Sequence, residues 1–151
     1  MAHRVARCTM FVTPTNPRFI DKAWTRGGDA YILDIEDSIP LAEKARCRGL
    51  IRESIAEASV LKLSDDELDA VLAACGVPHG PAHTASLRAL LVRHRLDLVA
   101  LTRGAAGALL VSPHEVVDQP GIAAVVRDTV GAGDSFTDAL VVGLLRGEPL
   151  N

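Results

Sequence analysis

Four consecutive residues, Gly131-Ala132-Gly133-Asp134, have the types and spacing that anion chemistry asks for. The apolar run that follows predicts a helix from there to about Arg146. A Gly-x-Gly turn entering a helix points backbone N–H groups and the positive end of the helix dipole at whatever docks there. A carboxylate at the same helix start, Asp134, is placed to accept the proton of an attacking hydroxyl while those N–H groups stabilise charge on a transferred phosphoryl group. A tight strand-to-helix turn with Asp134 as a cap is the plainer alternative, and Gly-x-Gly alone leaves it open.

Two further segments carry local signals. In Lys62-Leu63-Ser64-Asp65-Asp66-Glu67-Leu68, the Ser64…Glu67 spacing predicts a capping box at the start of a helix. In Leu101-Thr102-Arg103-Gly104-Ala105-Ala106-Gly107, two glycines bracket a tight turn between apolar runs and predict a hairpin.

The elements that must position these segments alternate. Strands are expected at Cys8–Thr13, Ala30–Ile35, Val60–Leu63, Leu98–Thr102, Ala108–Val111, near Glu115–Val117 and at Ala124–Arg127. Helices are expected from Pro17 to about Arg26, from Leu41 to about Ala58, from about Asp65 to Ala74, and from Thr84 to His94 with Leu87, Leu90 and Leu91 on one face. Residues 76–83, rich in Gly, Pro and His, read as a loop. The pattern predicts an α/β fold with a mostly parallel sheet and flanking helices.

Composition bounds the function classes. The chain has 151 residues, 48% hydrophobic and 23% charged, enough for one globular domain with a core. Aromatics are only 3%, so Ala, Val, Leu and Ile must build that core. Residues 1–59 carry nine basic and eight acidic side chains, residues 60–151 seven and eleven, so neither half offers nucleic acid a basic field. No apolar run reaches the roughly 18 residues of a membrane span, and a cytoplasmic address is expected. The odd cysteines Cys8, Cys47 and Cys75 argue for reduced thiols, and Cys75, His79 and His83 for a polar turn rather than a metal cluster.

Asp128 through Phe136, DTVGAGDSF, resembles the signature of the PfkB (ribokinase-like) carbohydrate kinases. The resemblance runs from about Val60 to Leu150 and takes in the two upstream segments. It implies ATP and Mg2+ as cofactors, with Asp134 as base, Gly131, Ala132 and Gly133 as anion hole, and Glu67 as the carboxylate that organises magnesium. It also implies that Thr102, Gly104 and Gly107 approach the nucleotide, and that Asp128 and Thr129 lie near the sugar or a monovalent cation. Ser64 stands where many members have Asn and fructokinase-like members often have Ser, which leans the sugar assignment that way.

Residues 4–58 lack the Gly-rich start of such a kinase. Met10–Phe19, Ile32–Pro40 and Glu43–Arg46 instead resemble the start of a CitE/HpcH-type lyase, a group similar to citrate lyase β-subunits and malyl-CoA lyases. That resemblance implies two βα units of TIM-barrel type, with Arg18 near a CoA or acid substrate and Asp34, Glu36 and Asp37 at a strand end. Helix solvation and strand-end hydrogen bonding account for the same residues without any such role. The expected organisation is therefore a lyase-like fragment, 1–59, joined to a kinase-like fragment, 60–151, able to pack as one α/β domain.

Three readings follow. The first is an incomplete sugar kinase that binds nucleotide and a sugar. The second is a non-catalytic α/β scaffold whose exposed sheet edge favours self-association. The third is a CoA-thioester lyase, which lacks its metal ligands.

Overall fold

The computed structural model of the chain describes residues 8–13, 15–34, 39–43, 46, 49–123, 125 and 131–150. They fall into two units, one comprising Met1–Ser54 with Asp134–Pro149, the other Ile55–Gly133 with Leu150–Asn151.

In the first unit β1 (Thr9–Val12) and β2 (Ala30–Leu33) pair in parallel, Thr9 opposite Ala30 and Val12 opposite Leu33. Parallel neighbours need a crossover, and α1 (Pro17–Ala23) supplies it. Asn16 starts that helix by accepting a 3.1 Å hydrogen bond from the Arg18 N–H, and Pro17 follows with its backbone angle already helical. Trp24 and Tyr31 meet edge to face at 4.9 Å, and the Tyr31 hydroxyl accepts from the Gly28 N–H at 2.9 Å.

The unbroken helix expected from Leu41 to about Ala58 is not formed. Leu41–Glu43 is a single 3-10 turn, Gly49 and Leu50 lie in a turn closed by the Gly49 N–H on the Arg46 carbonyl at 3.0 Å, and α2 covers only Ile51–Ala56. Glycine disfavours a helix interior by about 1 kcal/mol relative to alanine, and here it breaks the run.

In the second unit the sheet order is β3-β4-β5-β6, from β3 (Val60–Ser64), β4 (Leu98–Thr102), β5 (Ala108–Val111) and β6 (Val116–Gln119). β3 and β4 are parallel and are joined through α3 (Asp65–Cys75) and α4 (His83–His94). β5 and β6 return antiparallel. The α/β class is as the sequence predicts, but among the described residues two of the four strand pairs are antiparallel, a smaller parallel share than expected. The reason is local: a hairpin through Gly104–Gly107 reverses the chain within four residues, whereas a parallel return needs a dozen or more.

The core follows from this order. β4 lies between two strands and its first four residues, Leu98–Leu101, are buried, as are all four residues of β5. The two helices pack on the sheet and on each other, and Leu87 and Leu90 are fully buried. Buried Ser86 accepts from the Gly80 N–H at 2.9 Å, which ties the loop after α3 to α4. In that loop His79 turns to Asp69 at 2.6 Å, while Cys75 is buried at the end of α3.

The final helix, α5 (Ala132–Arg146), forms where the apolar run predicts it, although none of its described side chains is buried. The expected strand Ala124–Arg127 lies outside the described residues except Val125, which is exposed and in no strand. No helix among the described residues is long and apolar enough to cross a membrane.

Leu87→Ala removes a fully buried side chain between α4 and the sheet, so urea denaturation is expected to show a loss of about 2–5 kcal/mol.

Candidate functional site

Parallel pairing brings two chain segments to one end of the sheet. Ser64, the last residue of β3, stands opposite Thr102, the last of β4, and the strands lead there into α3 and the Gly104–Gly107 turn. Ligands of open α/β sheets bind outside the carboxyl ends of the strands, because that is where the connecting loops and helix starts converge.

Glu67 occupies this end and is already engaged. Its Oε2 accepts the Ser64 N–H at 2.7 Å and the Ser64 hydroxyl at 3.0 Å, so the capping box predicted from the sequence is formed. Both bonds fall on one oxygen, and a carboxylate has acceptor capacity on two. Thr102 Oγ1 makes a long, 3.4 Å bond to the Leu63 carbonyl across the β3–β4 pair.

The turn after Thr102 is shaped by backbone. The Arg103 N–H reaches the Gly107 carbonyl at 2.8 Å, while the Ala106 and Gly107 N–H groups bond to the Arg103 and Gly104 carbonyls. Gly107 has φ +95°, and a Cβ there would lie 2.1 Å from the Gln119 carbonyl oxygen. Gly121 is as constrained, since its Cβ would lie 1.9 Å from the Ala105 carbonyl oxygen. Two stretches of backbone thus touch with no room for a side chain on either.

The Gly-x-Gly segment enters α5 as predicted. Gly131 is a turn residue at φ +76°, a left-handed conformation that glycine takes without strain, and the space where a Cβ would project is open. Ala132, Gly133 and Asp134 make up the first turn of α5, with Ala132 and Asp134 exposed. A Cβ on Gly133 would lie 3.6 Å from Lys62 Nζ, so the Lys62 ammonium lies near Gly133, both within the second unit. The sequence reading passed over Lys62. Its signal was one cation in the otherwise apolar strand Val60–Leu63.

The structure therefore gathers Glu67, Thr102, Gly104 and Gly107 at one sheet end and sets Lys62 beside Gly133. Asp134 belongs to the first unit. Asp128 and Thr129, expected near sugar or a monovalent cation, lie outside the described residues, as do Glu36 and Asp37 of the lyase resemblance. Arg18 is exposed on α1, and the Asp34 N–H bonds to the Val12 carbonyl at 3.0 Å. Among the described residues no group of three or more His, Cys, Asp or Glu side chains could hold a metal ion.

The sequence pattern of the pfkB family carbohydrate kinases matches residues 26–151 and so begins upstream of the expected boundary at 59/60. A citrate lyase subunit beta from Leuconostoc mesenteroides subsp. cremoris is 38% identical over 52 residues, 34% of this chain and 17% of that protein.

The fold is similar to that of a fructokinase from Vibrio cholerae with fructose, ADP and calcium ion bound, at TM-score 0.64 and 23% identity over 91% of this chain and 46% of that one. It is likewise similar to ribokinase from Thermotoga maritima (0.62, 19%, covering 93% and 44%) and to a ribokinase from Cryptococcus neoformans in complex with ADP (0.62, 24%, covering 97% and 50%). The chain thus spans half or less of the length of these relatives.

Gly107→Ala forces the hairpin turn away from Gln119, and with strain at φ +95° added it is expected to cost at least about 1–3 kcal/mol in a denaturant titration. Ala106→Ser, at an exposed position of the same turn, is expected to stay within about 0.5 kcal/mol.

Proposed function

The chain belongs to the pfkB family of carbohydrate kinases, and we propose that it carries the nucleotide-phosphate part of a sugar kinase, its ancestral reaction being transfer of the γ-phosphoryl group of ATP to a sugar hydroxyl. The observation that carries this reading is the Ser64–Thr102 register, which puts Glu67 and the Gly104–Gly107 turn at one carboxyl end of the sheet. Residues 60–151 would supply this site, and residues 1–59 a segment of citrate lyase β-like descent.

The residues present fit a phosphate chain. Gly131 leaves open space in front of a helix start, and Lys62 adds a positive charge beside Gly133. Glu67 would help hold Mg2+ through the carboxylate oxygen its cap leaves over. When bound, Mg2+ would neutralise charge on the transferred phosphoryl group.

The chain's own groups would divide the rest. Asp134 accepts the proton of the sugar hydroxyl as that oxygen bonds to the γ-phosphorus. The bond from the γ-phosphorus to its bridging oxygen breaks, ADP leaves, and the helix start of α5 stabilises the charge in between. By the family resemblance, Thr102 and the Gly104–Gly107 turn would approach the nucleotide, and Asp128 and Thr129 would act near the sugar or a monovalent cation.

A second reading, a non-catalytic scaffold, is favoured by one observation: α5 is apolar along most of its length and has no buried side chain among those described. A helix with no buried side chain is poor support for a catalytic carboxylate. On this reading self-association would cover it.

A coupled ADP-release assay against a panel of sugars separates the two. The kinase reading expects turnover that Asp134→Asn lowers by at least about a hundredfold, the lower range of general-base contributions. No turnover with any sugar supports the scaffold, and turnover unaffected by that substitution removes Asp134 from its proposed role.

A further inference from the structure

The Gly104–Gly107 turn is closed by its own backbone hydrogen bonds and by no side chain of its own. Its residues are Gly, Ala, Ala and Gly, the first three are exposed, and both glycines sit at positive φ, so no side chain of the turn packs on anything that would restrict it. Further restraint on its geometry comes from the flanks.

One flank is the Pro120-Gly121 backbone pressed against Ala105 and Gly107. The other is Arg103. This side chain is only 18% exposed, and its Nη2 donates to the Ala108 carbonyl at 3.3 Å and to Asp118 Oδ1 in an ion pair. Asp118 lies on β6 opposite Leu109 of β5. Arg103 therefore links the residue before the turn, the residue after it and the strand one step further out, and the chain leaving that strand is the one that presses on the turn. A guanidinium can donate to two acceptors at fixed angles, so it sets distance and direction together.

We propose that Arg103, through Asp118, is a positioning residue that pre-organises the Gly104–Gly107 turn for a nucleoside triphosphate. The inference rests on the nucleotide reading of that turn. Arg103 touches no nucleotide itself. It acts by removing conformations that the turn would otherwise have to lose on binding.

The test uses the full chain and three variants, Arg103→Met, Asp118→Leu and Asp118→Asn. Asp118 is 60% exposed, so its substitution leaves the core alone, and Asn keeps the acceptor oxygen that Leu removes. Amide hydrogen exchange of the free protein reads the turn directly. In Arg103→Met and Asp118→Leu the amides of residues 104–107 are expected to exchange about tenfold faster, as for loss of one charge-assisted hydrogen bond, with Val99–Leu101 unchanged. Asp118→Asn should stay close to the wild type, and its rescue separates positioning from mere loss of bulk.

Mg·ATP affinity measured by calorimetry should fall by a similar factor in the first two variants alone. Unchanged exchange at 104–107 in both overturns the inference, and so does faster exchange with undiminished affinity. A wild type that binds no Mg·ATP overturns the nucleotide reading instead, and with it the purpose assigned to the brace, while the exchange data still decide whether the brace exists.

Discussion

The parallel pairing of β3 with β4, ending at Ser64 opposite Thr102, is the constraint on which the rest of the candidate site depends. A slip of one residue would turn Leu63 and Leu101, both buried, to the opposite faces and would carry the α3 start away from the hairpin turn. Burial of Leu98–Leu101 and of the α4 leucines holds that register. Core packing and the placing of Glu67 beside the turn after Thr102 are thus one structural decision, and a core substitution that loosens the sheet disturbs the site as well.

Glu67 shows how a single residue satisfies two demands. Local physics needs its carboxylate to close the capping box on Ser64, and that bond fixes where the carboxylate stands. The proposed chemistry needs a carboxylate at that same place. Both capping bonds fall on Oε2, so the proposed use would have the other oxygen, and the capping and functional readings of Ser64–Glu67 are compatible. Ser64 serves the arrangement a second way, since its hydroxyl adds another donor to the oxygen already used.

Much of residues 60–111 was legible because each element there carries its own signal. β4 is a short apolar run, α3 opens on a capping box and ends at Gly76, and Gly104 and Gly107 punctuate the hairpin. The long helix expected after Pro40 breaks at Gly49, whose cost inside a helix the start signal at Pro40 does not offset. The close approach of Gly107 to Gln119 and the Arg103–Asp118 pair were invisible for another reason. They join residues up to fifteen positions apart, and only the β5–β6 register brings them together. Lys62 beside Gly133 is a contact of the same kind, across about seventy residues.

A thermal melt with and without saturating Mg·ATP most directly tests the proposed nucleotide site within this chain. Ligand at about a hundred times its dissociation constant should add roughly 2.7 kcal/mol to the stability of the fold. A single cooperative transition that moves upward with Mg·ATP is the predicted result. A cooperative transition that stays in place would contradict the account and leave the site motifs as parts of a scaffold.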